Sequence, residues 1–370
     1  MAEPLKNQFG MDVVLRLAAS LRRQSADFDE RGFVSRCKQG YEALELMPRG
    51  LHIAHALREF LPPDYPEAIE QLITTLGPRL TRTENNGMAP FFYLPHALFI
   101  AQYGLDHFEE SMRANYEITQ RFTAEFSIRP FLVRYPTQTL ARLRDWTQDD
   151  SVHVRRLVSE GTRPRLPWAS HWTAARENPR ITIPLLELLK DDPELYVRRS
   201  VANHLNDIGK DHPEVLCQIA ERWLRRASPE RLWLVKHALR SLVKQGHPEA
   251  FRVLGFHHQK SPLAITLSLS PEFIHVGETL IVRVTCENPT ARNLAAIIDL
   301  RVDFLKSNGA HGPKTFKLKH VELPPRSSLE LKKQISFRKM TTRRHYPGVH
   351  HLAVLMNGQS ILTRDFELKN

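Results

Sequence analysis

Along the first 258 residues, apolar side chains recur at the spacing of one helix face, as in Val197, Val201, Leu205 and Ile208. That period predicts amphipathic helices. Breaks marked by Pro, Gly or Asp, such as Asp191-Asp192-Pro193 and His212-Pro213, predict short turns between them. No segment before residue 260 alternates with period two for long enough to suggest a sheet. Beyond Phe256-His257-His258-Gln259-Lys260-Ser261-Pro262 the period becomes two. Leu263, Ile265, Leu267 and Leu269 alternate with small or polar residues, as do Leu280, Val282, Val284 and Cys286. Leu294, Ala296, Ile298, Leu300, Val302 and Phe304 continue the pattern, followed by Phe316/Leu318, Leu329/Leu331 with Ile335/Phe337, and His350, Leu352, Val354 and Met356. Asn357-Gly358 predicts a tight hairpin turn with two positive φ angles. About seven short strands are the complement of an antiparallel, immunoglobulin-like β-sandwich. The expected division is 1–258 helical and 259–370 sandwich.

The helical half contains a repeat. Asp149-Asp150-Ser151-Val152-His153-Val154-Arg155-Arg156 resembles Asp191-Asp192-Pro193-Glu194-Leu195-Tyr196-Val197-Arg198-Arg199, and Ser228-Pro229-Glu230 with Val235-Lys236-His237 is a weaker echo. The valines lie 43 and 38 residues apart. A period near 40 predicts HEAT-like helix pairs, which stack into an α-solenoid with a concave surface. The other reading is a non-repetitive helical bundle with similar helices.

Composition narrows the class of function. The formal net charge is +11, and a basic globular chain of this kind commonly meets a polyanion. The longest apolar run, around Pro90 to Gly104, is interrupted by Pro95, His96 and Gln102 and is too short and polar to span a bilayer. The first residues lack the features of a signal peptide, so a cytoplasmic protein with no membrane association is expected. Cys37, Cys217 and Cys286 form no ligand-spaced pair, and neither His257-His258, His350-His351 nor His52/His55 has metal-site spacing with a nearby acid. No metal or cofactor is expected.

The sandwich sequence is strongly basic between residues 314 and 344. Lys314, Lys317, Lys319, Arg326, Lys332, Lys333, Arg338, Lys339, Arg343 and Arg344 face only Glu322 and Glu330, a net +8. Alternation places Lys317 and Lys319 opposite Phe316 and Leu318. Such a face is either a solubilising surface or a set of phosphate contacts, with Lys317, Lys319, Arg343 and Arg344 as the candidates.

The stretch Val154-Arg155-Arg156-Leu157-Val158-Ser159-Glu160-Gly161-Thr162-Arg163-Pro164-Arg165-Leu166-Pro167-Trp168-Ala169 carries candidate chemistry. A helix ending at Gly161, a usual C-cap residue, leads into a proline-stiffened loop bearing Arg163, Arg165 and Trp168. The arginines suit phosphates, the indole face suits a cation or sugar C–H groups, and the carboxylate suits developing positive charge. The structural alternative pairs Glu160 with Arg156 at i, i+4 and packs Trp168 into the repeat.

Arg163-Pro164-Arg165-Leu166-Pro167-Trp168 after Ser159-Glu160-Gly161 resembles the signature of AlkC-type DNA alkylation repair glycosylases, within the AlkC/AlkD superfamily of HEAT-like repeat enzymes. His107-Phe108-Glu109-Glu110-Ser111 running to Arg121-Phe122-Thr123-Ala124-Glu125-Phe126 is similar to the same family, as is Tyr196 through Val201-Ala202-Asn203-His204-Leu205-Asn206-Asp207. The likeness covers most of residues 5 to 255. The sandwich resembles the immunoglobulin-like extension of one branch of the family.

The resemblance implies a monofunctional hydrolase of the N-glycosidic bond in double-stranded DNA containing alkylated bases. Its substrates would be 3-methyladenine and, in the AlkC branch, 3-methylcytosine and 1-methyladenine, with the base left stacked rather than extruded. A cationic base is already a good leaving group, so the enzyme must supply negative charge near an oxocarbenium-like centre and a positioned water. By position, Glu160 lies nearest the sugar, Asp207 helps hold water, Glu125 shapes the charge of the cleft, and Trp168 contacts deoxyribose or lesion. Trp172, four residues on, is expected in the core. Arg163, Arg165, Arg198 and Arg199 are candidate backbone contacts. Glu125 has the alternative of an i, i+4 pair with Arg121, and Asp207 of a polar residue near a helix end. A monomer suffices for such an enzyme. The rival function is a non-catalytic HEAT-repeat DNA-binding protein, since fold alone does not fix activity.

Overall fold

The computed structural model describes residues 5–256, 262–271, 273–338 and 344–370. The chain divides into two compact units, Met1–Asp211 and His212–Asn370.

The first unit is helical: α1 (Met11–Gln24), α2 (Glu30–Lys38), α3 (Leu46–Phe60), α4 (Tyr65–Thr74), α5 (Leu94–Tyr103) and α6 (Phe108–Thr119) come first. Then follow α7 (Ile128–Arg134), α8 (Pro136–Asp145), α9 (Val152–Gly161), α10 (Thr173–Glu177), α11 (Ile183–Leu189) and α12 (Leu195–Asp211). Several starts are set by local chemistry. The Asp29 and Asp64 carboxylates accept from the Gly32 and Glu67 amides, satisfying donors that a helix start leaves unpaired. Leu17, Leu21, Phe33, Ile53, Leu57, Phe99, Phe131 and Leu157 are buried, so the predicted apolar faces form the core.

The repeat is visible in the hydrogen bonds. Arg155 Nη1 donates to the Asp149 and Asp150 carbonyls, and Arg198 Nη1 donates to those of Asp192 and Pro193. The Ser151 and Glu194 amides donate to the Asp149 and Asp192 carboxylates in the same way. Every one of these pairs is offset by 43 residues. Gly161 serves a different purpose from the expected cap. It is the last residue of α9, Thr162 caps it, and a Cβ at Gly161 would lie 2.8 Å from Ile128 Cγ2. Glycine there permits α7 to press against the end of α9.

The second unit opens with α13 (Pro213–Leu224), α14 (Pro229–Ala238), α15 (Arg240–Gln245) and α16 (Pro248–Val253). Strands β1 (Ala264–Ser270), β2 (Ile274–His275), β3 (Thr279–Glu287), β4 (Leu294–Leu305), β5 (His311–Leu323), β6 (Ser328–Ser336), β7 (Gly348–Met356) and β8 (Gln359–Lys369) follow. They form a three-stranded sheet, β1-β3-β6, and a five-stranded sheet, β2-β8-β7-β4-β5. Leu280, Val282, Val284, Ile298, Leu300, Leu352 and Val354 fill the core between them. The Asn357-Gly358 turn has the two positive φ angles expected, 50° and 79°. Two-residue β2, pairing parallel with β8, is too short to leave a periodic signal.

The period changes where expected, between Val253 and Ala264, whereas the compact units part at Asp211/His212. Helices α13–α16 therefore belong with the sandwich. A Cβ at Gly246 would lie 2.9 Å from the Gly358 carbonyl, and Phe256 meets His320 edge-on at 5.2 Å. The expected boundary at 258/259 lies outside the described residues.

Candidate active site

α9 and α12 pack together in the first unit, and the candidate carboxylates lie on them or beside them. Glu160 lies in the last turn of α9 and is 7% exposed. Its Oε1 accepts from Arg163 Nη1 at 2.7 Å and pairs with Arg156 Nη2 at 3.4 Å. Its Oε2 accepts from Ser200 Oγ on α12 at 2.6 Å. Burial opposes ionisation, but Arg156, Arg163 and the Ser200 hydroxyl outweigh it and hold the carboxyl at about 2. Glu160 is therefore an obligatory anion at neutral pH.

Asp207, 1% exposed on α12, accepts from Arg163 Nε at 2.8 Å and from Lys210 Nζ at 2.7 Å. Arg163 thus bridges two carboxylates that are 47 residues apart in sequence. It is itself 8% exposed, with its charge committed to both. Glu125 pairs with Arg156 at 2.8 Å and accepts from the Thr123 hydroxyl at 2.9 Å, while Arg121 pairs with Glu117. Arg156 therefore joins Glu125 to Glu160, under the Tyr196 ring at 5.5 Å. Glu125, Glu160 and Asp207 form one network threaded by Arg156 and Arg163.

Trp168 projects from the loop after α9 and is 58% exposed, with φ at +68°. That left-handed backbone costs a bulky residue roughly 1–2 kcal/mol and persists only where the surroundings enforce it. The loop is pinned at both ends. Arg129 Nη2 donates to the Arg163 carbonyl at 2.6 Å, and the Trp172 amide donates to the Pro164 carbonyl at 3.2 Å. Trp172 is buried, as expected. An open cleft of about 710 Å³, lined by Leu98, Phe126, Arg129, Val133 and Trp172, lies beside Trp168. On another side Trp168 faces Phe91, ring centroids 6.4 Å apart.

The remaining arginines are arranged differently. Arg165 forks onto Asp211 at 2.7 and 2.5 Å, Arg199 pairs with Glu84, and Arg198 holds the turn before α12. Arg165 and Arg199 keep partly exposed side chains, 27% and 41%. In the second unit Lys317, Lys319 and Arg344 are exposed, and Arg343 lies outside the described residues.

Ser200, Thr123, Arg129 and the bridging role of Arg156 escape a reading of the sequence, because each acts across helices. The repeat did offer one signal. Arg156 and Arg199 occupy equivalent places 43 residues apart, and both pair with a glutamate from a distant segment. Among the described residues no group of three His, Cys, Asp or Glu side chains is arranged to hold a metal ion. Nor is any described helix long and apolar enough to cross a membrane.

The chain is similar to known proteins along its whole length. Residues 264–370 match the family described as "Uncharacterised protein YhaZ, C-terminal Ig-like domain". The uncharacterized protein YhaZ of Bacillus subtilis (strain 168) is 34% identical over 365 residues, 98% of this chain and 99% of that protein. The solved structure of Pseudomonas fluorescens alkylpurine DNA glycosylase AlkC, bound to DNA containing an abasic site analog, matches with a TM-score of 0.91. Identity there is 37%, with 100% of both chains covered.

Proposed function

Since the chain belongs to the AlkC/YhaZ family, we propose that it is a monofunctional DNA glycosylase. It releases 3-methyladenine, 3-methylcytosine and 1-methyladenine from double-stranded DNA by hydrolysis of the N-glycosidic bond. The observation that carries this reading is the enforced negative charge of Glu160, eight residues before an exposed tryptophan, in a chain whose net charge is +11.

The chemistry follows from the charges. The C1′–N bond breaks with its electron pair passing to the base, which leaves neutral because it was cationic. Positive charge appears on C1′ and O4′ of the sugar, and a preorganised anion stabilises it without reorganisation at the moment of reaction. Water then adds to C1′ and gives up a proton, leaving an abasic site. Glu160 supplies the charge, Asp207 holds the water, and Glu125 keeps Arg156 in place. Arg163 is a positioning residue, since a phosphate could claim it only by stripping two carboxylates of their partner. Trp168 lies against the deoxyribose, its π face toward the polarised C–H groups. With no acid needed to protonate the leaving base, extrusion from the stack is unnecessary.

Arg165, Arg198, Arg199, Lys317, Lys319 and Arg344, together with Arg343, are the proposed backbone contacts, and the enzyme acts as a cytoplasmic monomer on its own repeat scaffold. The rival reading, a non-catalytic DNA-binding protein, draws on one observation: both Glu160 oxygens already have protein partners. The deciding experiment follows free base released from duplex DNA carrying radiolabelled 3-methyladenine or 3-methylcytosine. Release by the wild type establishes the glycosylase, and tight binding without release establishes the binder.

A further inference from the structure

Phe91 and Phe92 stand side by side in the short 3₁₀ helix Ala89–Tyr93, yet they serve different surroundings. Successive side chains of such a helix point about 120° apart, so neighbouring rings face different ways. Phe92 faces the core: it is buried, with Arg16 over its ring and Tyr93 and His96 beside it. Phe91 is half-buried and faces away. Pro90 stiffens the entry to this turn, and the Phe91 amide donates to the Met88 carbonyl at 2.9 Å, so the Phe91 ring stands on a fixed base.

Phe91 meets two further rings. Its centroid lies 5.1 Å from that of Phe122, with the planes at 60°, and 6.4 Å from that of Trp168 at 51°. Both distances fall in the range of favourable aromatic pairs. Phe122 in turn lies 6.4 Å from Phe126, which lines the cleft beside Trp168. These two phenylalanines belong to the segment that joins α6 to α7, and the residues between them serve the charge network. Thr123 Oγ1 and Glu125 Oε2 both accept from Arg156 Nη1, at 3.1 and 2.8 Å, and Arg156 reaches on to Glu160. Residues 122–126 therefore hold both halves of the site, the aromatic half through Phe91 and the anionic half through Arg156.

Trp168 has use for such a hold. The bonds from Arg129 and Trp172 fix the loop backbone at Arg163 and Pro164, but they leave the indole, 58% exposed, to its own two side-chain torsions. We propose that Phe91 is a positioning residue for base excision: seated on Phe122, it fixes the direction of the Trp168 indole relative to Glu160. It touches no reacting atom and acts through Trp168. A ring that served packing alone would be buried, as Phe92 is. The proposal rests on the reading above that Trp168 meets the deoxyribose.

The test uses the full chain labelled with 5-fluorotryptophan, in which one of five indole signals belongs to Trp168 and is identified by its loss in W168F. Fluorine spectra and base release from duplex DNA carrying 3-methyladenine are recorded for the wild type, F91A and F91Y, with melting curves confirming the fold. F91A is expected to lower kcat about fivefold, in the range of one aromatic pair, with KM held within about twofold, and to shift and narrow the Trp168 signal. F91Y keeps the ring and is expected to restore both. In a W168A background, F91A is expected to slow release no further. Wild-type kcat in F91A, or an unmoved Trp168 signal, overturns the proposal. So does F91Y as slow as F91A, which credits the fold rather than the ring, or a further loss in the W168A background, which makes Phe91 act independently of the indole. F91L takes the place of F91A, with the same outcomes, if F91A melts well below the wild type. A wild type that releases no base fails the functional reading, whereas a Trp168 signal indifferent to Phe91 fails the buttress, so the two failures are told apart.

Discussion

Ser200 Oγ donates to Glu160 Oε2 at 2.6 Å, tying the middle of α12 to the last turn of α9 across 40 residues of sequence. The bond orients a carboxylate that two arginines already keep ionised, so this hydroxyl decides where the charge points. Ser200→Ala is expected to lower the rate of base release about tenfold while KM for the damaged duplex stays within twofold. A raised KM with an unchanged rate would assign Ser200 to DNA binding instead.

Glu160→Gln keeps the size of the side chain and removes its charge. Base release is expected to fall by about 10²–10³, in the range seen when one preorganised electrostatic partner is lost, with DNA binding nearly intact. Because the wild-type carboxyl sits at about 2, its ionisation adds no acidic limb to the rate above pH 5. Excision unchanged in E160Q removes Glu160 from the mechanism. A wild-type limb near pH 6 that E160Q abolishes contradicts its being a permanent anion.

Arg163→Met leaves Glu160 and Asp207 buried with fewer cations. Breaking a buried ion pair on one side costs about 3–5 kcal/mol, so a pronounced fall in Tm is expected. Arg163→Met/Asp207→Asn should recover part of it, since one orphaned charge is gone. Equal melting of the single variant and the wild type would show that the bridge is not a structural tie.

Trp168 holds a left-handed backbone at φ +68°. Trp168→Gly is expected to melt higher than Trp168→Ala by the equivalent of about 1 kcal/mol, because only glycine adopts that φ without strain. Both should lose most base release if the indole touches the sugar. Wild-type rates in either variant exclude that contact.

Burial holds His96 at about 3 and His204 at about 4, both below the ordinary 6.5, so they fold as neutral rings. The unfolded chain binds their protons first as pH falls, so their contribution is intact above pH 6.5 and is lost through about pH 4. Glu160 acts in the same direction at lower pH, since its stabilisation is present above 4.5 and lost as pH falls toward 2. Tm is expected to be flat from pH 8 to 6.5 and to drop below it. An equally steep drop in His96→Gln/His204→Gln would trace the acid limb to other groups.

Much of the site was legible in the stretch from Glu160 to Trp168 because its residues are close in sequence and lie at a helix end, where periodicity stops and side chains project. The pairing of Glu125 was not legible. Spacing suggests Arg121 at i, i+4, but Arg121 turns to Glu117, and Arg156 arrives from α9. Arg163 looked like a phosphate ligand by residue type, yet its burial between Glu160 and Asp207 depends on how α9 meets α12. Residue type names a capability, and packing decides which partner claims it.

The sequence by itself determined the two classes of element, the point where helices yield to strands, the 43-residue repeat and the Asn357-Gly358 turn. All of these rest on local periodicity and backbone preference, which neighbours along the chain dictate. Only the tertiary structure decided that Arg156 and Arg163 thread three carboxylates together and that α13–α16 join the sandwich. It also placed Trp168 on a strained backbone. Those outcomes depend on which faces meet across tens of residues, where burial removes water and leaves a charge no choice but the partner packed against it.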